Sequence, residues 1–168
     1  FIALNPANGE DPISFVSNHT DEIGVDGVII TAATKSNGPL EQAAEITRRK
    51  GRIVAVGAIG MNIPRPPFYE KEIAFHISSS YGPGRYDNKY EVEGIDYPIG
   101  YVRWTENRNM TEYLRLVHTG AIKLDKLIDS KYNIEQVTEA FESLQVSGAK
   151  PLMVLLDYGK VELGNIKN

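Results

Sequence analysis

The sequence predicts an α/β fold, a doubly wound parallel sheet with helices on both faces, giving three layers. Two segments, 25–33 and 52–58, are rich in β-branched and apolar residues on both alternations, from Val28 onward in the first. This pattern is typical of parallel strands covered on both faces. A helical segment, 40–50, lies between them. A strand, a helix and a strand joined this tightly form a right-handed crossover unit.

The N-terminal elements follow from turn and cap signals. Residues 1–4 are a short apolar run closed by the turn formers of 5–9, which predicts a strand end and a loop. Asp11 is the predicted cap of a short helix that begins at Pro12 and ends before Gly24.

The segment 40–50 is the strongest helix prediction in the chain. It starts after Pro39, carries its basic residues in the last predicted turn and is followed by Gly51, a predicted C-terminal cap. One face is apolar, and it comprises Leu40, Ala43, Ala44 and Ile46.

Later elements are predicted in the same way. Three prolines, at 64, 66 and 67, predict a stiff connector, and 73–80 is a third predicted strand. Residues 81–104 are rich in Gly, Pro and Tyr without a sustained period, which predicts an ordered loop whose aromatic residues bury area. The remaining predicted elements are a helix at 110–118 ending at Gly120, a short strand within 124–132, a helix at 134–144, a strand at 152–156 and a polar tail at 159–168.

Composition excludes several classes of function. The chain has 168 residues, 42% hydrophobic and 24% charged, and its net charge of −4 comes without a basic stripe, so no nucleic-acid partner is expected. No apolar run approaches the roughly 20 residues of a membrane helix, and no basic flank marks a secretory signal. We therefore expect a cytoplasmic protein.

The sequence offers no metal site. The chain has no cysteine, which excludes disulfides, thiolate catalysis and Cys-ligated zinc. Its histidines, His19, His76 and His118, are too scattered to hold a metal, and we expect His76 to be a hydrogen-bonded core residue of its strand. Because the chain opens inside a predicted strand without an initiator Met, we expect it to be a fragment of a longer protein.

A family resemblance covers nearly the whole chain up to Tyr158. Pro-Leu-Glu-Gln-Ala-Ala at 39–44, Arg-Lys-Gly-Arg-Ile-Val-Ala-Val-Gly at 49–57 and Lys-Glu-Ile at 71–73 resemble the second half of the cofactor domain in zinc-type medium-chain alcohol dehydrogenases. Residues 122–144, with Ala140-Phe141, resemble the segment that returns to the catalytic domain. The resemblance implies a partial Rossmann-like domain over 1–121, a short α+β segment of the catalytic domain over 122–158 and a tail or linker over 159–168.

Two longer runs narrow the resemblance. Residues 79–87 and 96–106 are similar to a subgroup of bacterial proteins in which such a dehydrogenase is fused to a second oxidoreductase module. This subgroup points to a small-molecule substrate derived from a sugar.

The resemblance implies NAD or NADP as the cofactor of the whole protein, and the family also admits zinc. The family's Gly-rich phosphate loop, its ribose-selecting residue and its zinc ligands would all precede Phe1. We therefore assign no catalytic residue and no metal ligand to this chain, and we expect it to be inactive alone.

The predicted cofactor contacts lie where three strands end. Ligands of open parallel sheets bind beyond the carboxyl ends of the strands, and the family places the dinucleotide there. Each strand end has a structural alternative: strand-to-loop packing for the first, turn glycines for the second and hydroxyls that cap an edge strand for the third. The residues concerned are Thr31, Ala32 and Ala33, then Gly57, Ala58 and Ile59, and finally Ser79 and Ser80.

Two residues of the 81–104 loop are candidate substrate contacts. Arg85 lies in a Gly-Pro-Gly-Arg-Tyr-Asp run that could form an anion-binding turn, and the favoured alternative is that it pairs with a carboxylate to hold the loop folded. Trp104 could stack on a sugar, although a lone Trp in a loop more often anchors packing.

Two other functions remain open at this stage. Medium-chain dehydrogenases commonly dimerise through edge strands, so the chain could be a dimerisation module without turnover, a homodimer paired through strand 73–80. A flavodoxin-like binding domain is less favoured, because no phosphate-binding loop follows any strand.

Overall fold

The computed structural model describes residues 2–146, 148 and 150–159. It divides the chain into two compact units, Phe1–Asn109 and Met110–Asn168. The helices are α1 (Pro12–His19), α2 (Gly38–Ile46), α3 (Arg65–Glu70), α4 (Asn88–Glu91), α5 (Glu106–His118) and α6 (Val137–Ser143). The strands are β1 (Val25–Ile30), β2 (Thr47–Ala55), β3 (Ala74–Ile77), β4 (Ile128–Asn133) and β5 (Met153–Asp157).

The first unit contains a three-stranded sheet in the order β1-β2-β3, and both pairings are parallel. Val28 lies opposite Ile53, which lies opposite Phe75. The helix α2 connects β1 to β2, and α3 connects β2 to β3. The predicted α/β class with parallel strands is confirmed, and it is consistent with part of a Rossmann-like fold.

The core of this unit lies between α2 and one face of the sheet. Leu40 and Ile53 are fully buried there, and Phe68 meets Phe75 edge to face with ring centroids 6.0 Å apart. Burying large aliphatic side chains contributes about 1.5–3 kcal/mol each. This face therefore fixes how α2 sits on the strands. The buried members of the core are Ile30, Leu40, Ala43, Ala44 and Ile53.

The other face of the sheet differs from the prediction. Ile29 points to that face and is 69% exposed, so the expectation that the strands are covered on both faces is wrong for β1. Within the described part of the chain, β1 is also an edge strand of the sheet. An apolar pattern on both alternations shows that both faces of a strand can be buried, but it does not show that a helix covers each of them. Here Ile29 is left exposed.

The helix predicted at 40–50 ends earlier, at Ile46, and Gly51 is not its cap. Thr47 takes the C-cap position, and its hydroxyl donates to Ala43 O at 2.6 Å. The basic residues that follow belong to β2, where the pairing with β1 shifts register and Lys50 has a φ of 58°. A bulge of this kind absorbs extra residues without lengthening the helix.

Three other boundaries differ from the predictions. Residues 2–5 form no strand, and Phe1 lies outside the described residues. The proline-rich connector contains α3, because prolines fit the first turn of a helix, where no N–H bond is lost. The third strand spans only Ala74–Ile77, and it lies at the edge of the sheet as predicted.

The position of His76 also differs from the prediction. It is exposed, and its register partner across the sheet is Val54. The expectation of a hydrogen-bonded core histidine is therefore wrong. It lies in the same cross-strand row as Ile29, on the face that α2 does not cover.

The second unit pairs β4 with β5 in parallel, and α6 packs against both strands. Asp129 accepts the N–H of Leu152 at 2.6 Å and thereby fixes the start of β5. Predicted strands and helix are present here with boundaries shifted by a few residues, and the predicted tail lies outside the described residues beyond Gly159. No helix in the described ranges is long and apolar enough to cross a membrane.

Candidate functional site

The candidate site lies at the carboxyl edge of the first sheet, where two loops run side by side. The first loop comprises residues 31–37 after β1, and the second loop comprises residues 56–62 after β2. Thr34 N donates to Ala58 O at 2.8 Å, and Gly60 N donates to Ser36 O at 3.0 Å. The predicted residues 31–33 and 57–59 are therefore brought together by main-chain hydrogen bonds.

Two glycines of the second loop allow the close approach. A Cβ built on Gly57 would lie 2.7 Å from the carbonyl carbon of Thr31 and nearer still to the carbonyl oxygen of Ala32. A Cβ on Gly60 would lie 2.8 Å from the carbonyl carbon of Ser36. Loop-to-loop packing therefore accounts for both glycines without any bound ligand, which removes the glycine spacing itself as evidence for a cofactor.

The predicted residues offer small, accessible groups at this edge. Thr31, Ala32, Ala33 and Ala58 are exposed, while Ile59 is half-buried and packs against the core. Exposed small residues leave their backbone open to a ligand. A cleft of about 570 Å³ runs along β1 and α2, and Thr31 and Ala32 are among its lining residues.

The third strand ends at the same edge. Ser78 N donates to Ala55 O at 2.9 Å, so the pairing of β3 with β2 reaches the end of β2. Ser79 and Ser80 follow and are both exposed, and Ser79 O accepts the N–H of Gly82. The hydroxyls of these two serines are thus available beyond the sheet.

Arg85 is held inside its own loop. Its guanidinium forms an ion pair with Glu91 and lies 4.4 Å from the ring centroid of Tyr86. The hydrogen bond to Glu91 raises the pKa of Arg85. The carboxylate pairing considered for Arg85 is therefore present, and an anionic ligand would have to compete with Glu91.

Trp104 lies near the end of the same loop. The Arg103 guanidinium lies 4.1 Å from its ring centroid, and the side chain is 46% exposed. The next residue, Thr105, is fully buried, and the Tyr90 hydroxyl donates to it at 3.2 Å. Tyr90 and Thr105 therefore tie α4 to the end of the loop, beside Trp104.

A tyrosine and a carboxylate form a further contact within this loop. The Tyr97 hydroxyl donates to Asp87, and Lys89 N donates to the same carboxylate at 3.0 Å. These two hydrogen bonds, the first of them the larger cause, lower the pKa of Asp87. Because the carboxylate form is favoured in the folded loop, the contact stabilises the loop above the ordinary pKa of Asp and is lost as pH falls through the lowered pKa.

Substitution of Tyr97 by phenylalanine is expected to raise the pKa of Asp87 toward its ordinary value. Carbon-detected NMR titration of the carboxyl groups measures the change. Asp11 is an internal control, since its pKa is also lowered, mainly by the Ser14 hydroxyl. If Y97F left the pKa of Asp87 unchanged, the hydrogen bond from the Tyr97 hydroxyl would not be what lowers it.

The described residues contain no group of three His, Asp or Glu side chains placed to hold a metal ion. Zinc therefore does not fit this part of the chain.

Comparison with known proteins gives a fold but no sequence relative. No family model matches, and no curated protein matches. Among solved structures, 2R,3R-butanediol dehydrogenase from Bacillus subtilis matches with a TM-score of 0.59 and 20% identity over 86% of this chain and 34% of that one. Alcohol dehydrogenase TADH from Thermus sp. ATN1 matches with a TM-score of 0.57 and 19% identity, over 86% of this chain and 35% of that one.

A third structure, described as a short chain alcohol dehydrogenase from E. coli CFT073 complexed with cofactor NADH, matches with a TM-score of 0.59 and 18% identity. It covers 90% of this chain and 37% of that one. The fold is shared with part of these dehydrogenases. This chain spans only about a third of their length, so what the whole proteins bind is not transferred by the likeness alone.

The sequence prediction missed one pair of residues in this site. Asn37 Nδ2 donates to Asn62 O at 2.9 Å, and Asn62 N donates to Asn37 Oδ1 at 3.1 Å. An Asn before Gly-Pro at the start of a helix is typical of a helix cap, and that local pattern conceals a partner 25 residues away.

Proposed function

We propose that this chain is the cofactor-binding portion of an NAD(P)-dependent, zinc-type alcohol dehydrogenase-like oxidoreductase and is inactive alone. The observation that carries the proposal is the parallel order β1-β2-β3 with the ends of all three strands at one edge. In open parallel sheets this edge is where dinucleotides bind. The three dehydrogenase folds of matching topology support the same reading.

In this proposal, the cofactor supplies hydride transfer and the chain supplies position. The backbone of 31–33 and of 57–59 would contact the nicotinamide half, and Ser79 and Ser80 would offer hydroxyls and backbone groups beside it. The two loops are already joined by hydrogen bonds, so the ligand need not order them.

The test is a titration with NADH and NADPH, followed by cofactor fluorescence and by amide chemical shifts. It is made on the isolated chain and on the longer protein of which we propose it is part. We expect binding in the longer protein with the largest shifts at residues 31–33, 57–59 and 79–80. Binding to the isolated chain should be much weaker, because the proposed phosphate loop is not in it.

The opposite edge of the sheet is the control. Asp26 and Gly51 line a separate cleft at the amino ends of the strands, and their amides should not shift. A longer protein that binds neither nucleotide, or that shifts Asp26 and Gly51 most, would contradict the proposal. The coding sequence upstream of Phe1 is a second test, since the proposal requires a Gly-rich strand-to-helix turn there.

A second candidate function is dimerisation through β3. This strand is an edge of the sheet, and Ile77 at its end is 68% exposed. An exposed apolar edge can pair with its symmetry mate and extend one sheet through two subunits. Light scattering on the titrated samples separates the candidates, because an assembly module without turnover is a dimer that binds no nucleotide.

The finer expectations are also proposals. They comprise a sugar-derived substrate, contacts from Arg85 and Trp104 to it, a zinc ion held by residues outside this chain, the domain boundaries at 121 and 158, membership of the fused bacterial subgroup and a cytoplasmic location.

A further inference from the structure

The side chain of Asn37 does not perform the task that its position in the chain suggests. Asn37 precedes α2 at the N-cap position, where an Asn side chain normally accepts a backbone N–H of the first turn. Here its backbone is helical, with φ −79° and ψ −12°, and its side chain makes no capping bond. The Ser36 hydroxyl accepts the N–H of Gly38 at 3.0 Å instead.

The amide of Asn37 is used between the two loops. It donates to the carbonyl of Asn62 and accepts the N–H of the same residue, at 2.9 and 3.1 Å. These two bonds have the donor and acceptor pattern of a main-chain pairing between neighbouring strands. They connect the two loops at a third point, after the main-chain bonds of Thr34 and Gly60. The contact needs a donor and an acceptor on one planar group, and the side-chain amides of Asn and Gln provide both.

The contact also lies beside the second close approach of the two loops, the one at Gly60. A Cβ on Gly60 would lie 2.9 Å from Asn37 N, so the backbones of the two loops touch beside the amide pair. Gly60 in turn follows 57–59 directly. The Asn37–Asn62 pair therefore lies next along the chain from these three residues, beyond the main-chain bonds at Ala58 and Gly60.

We propose that Asn37 is a positioning residue that fixes the spacing of the first and second loops and thereby the placement of 57–59 for the cofactor. This inference rests on the proposed function for its consequence at the cofactor. It does not rest on it for the joining of the loops, which is measured without any ligand.

The test uses hydrogen exchange and NADH affinity on the same longer protein. In Asn37→Ala, the amide of Asn62 loses its acceptor, and we expect it and the amide of Gly60 to exchange about tenfold faster. The dissociation constant for NADH should rise by about tenfold, while the melting temperature changes little. Asn5→Ala is the matched control, because it removes an exposed amide that accepts from Ala7 N at 3.1 Å, a contact local to its own turn.

The Asn37→Asp variant should recover the contact when its carboxyl is protonated, which would not be expected if Asn37 only filled space. The ionised carboxylate accepts from Asn62 N but repels the Asn62 carbonyl, whereas the protonated carboxyl offers both a donor and an acceptor. Exchange protection of Gly60 and Asn62 in this variant should be greatest below the carboxyl pKa, where both bonds form, and should weaken as pH rises through that pKa.

The outcomes separate the two proposals. Unchanged exchange at Gly60 and Asn62 in Asn37→Ala overturns the inference, and so does unchanged NADH affinity in a protein that binds NADH. If the unsubstituted longer protein binds neither NADH nor NADPH, the proposed function fails and so does the consequence of Asn37 at the cofactor, while the exchange rates alone decide whether Asn37 joins the loops.

Discussion

Replacement of Gly57 by alanine is expected to lower the free energy of unfolding by at least about 3 kcal/mol, the range of severe overpacking. The new methyl group would lie 2.7 and 2.8 Å from the carbonyl carbons of Thr31 and Ala32. These are backbone atoms at the end of β1, so they cannot rotate away as a flexible side chain would. Gly57 N also donates to Ile30 O at 2.9 Å, which holds the two segments at this distance.

The control for this substitution is Gly100→Ala. No heavy atom lies within 4 Å of a Cβ built on Gly100, so its substitution should leave stability within about 0.5 kcal/mol. Urea denaturation followed by circular dichroism measures both variants. Equal midpoints for Gly57→Ala and Gly100→Ala would mean that the loops after β1 and β2 do not approach each other as closely as described.

The sequence is sufficient to predict the sheet of the first unit because the signal for it is local. Residues 28–30 and 53–55 are apolar and β-branched or small, and the helix between them has one apolar face. These patterns report which residues can be buried, and burial dominates the choice of element. The parallel pairing then follows from the length of the connection, which is too long for a hairpin and suits a crossover.

The errors have a common physical cause, which is interaction over long sequence separations. The helix α2 ends at Ile46, and a carbonyl of its last turn accepts from the side chain of Lys71, a partner beyond β2 that no local window contains. Similarly, Asn37 has a local pattern that predicts a cap, while its actual partner is Asn62. Coverage of the second face of β1 is also a property of other segments and not of the strand itself.

For the candidate site, too, local patterns predict one part and long-range contacts decide the rest. Its location at the strand ends is predictable, because the carboxyl ends of parallel strands always share an edge. The sequence does not reveal why Gly57 and Gly60 are glycines, since turn formation, ligand approach and loop packing all favour the same residue. A Cβ on either glycine would lie too close to the backbone of Thr31 or Ser36, so loop packing alone is a sufficient reason for both glycines.

The long-range cap is itself a testable feature of the fold. Lys71 Nζ donates to Ala44 O at 2.9 Å, to Glu45 O at 2.7 Å and to Thr47 O at 3.0 Å. These are carbonyls of the last turn of α2 and its C-cap, which have no amide partner further along the helix. A cation here also complements the negative end of the helix dipole. The backbone of Lys71 adds a further bond, because its carbonyl accepts Lys50 N at 2.6 Å.

Lys71→Met is expected to lower the free energy of unfolding by about 2 kcal/mol, since hydrogen bonds to charged groups contribute about 1.5–3 kcal/mol each and part-exposed carbonyls regain water when the ammonium is lost. Methionine keeps the apolar stem, so the change isolates the charged donor. Lys50→Met is the matched control: it removes an exposed ion pair with Glu72 at 3.1 Å, which should contribute less than about 1 kcal/mol. Denaturation in urea measures both, and faster amide exchange at the end of α2 in Lys71→Met alone would locate the effect. If the two variants were equally stable, the cap on α2 would contribute no more than a surface ion pair, and the early end of the helix would need another cause.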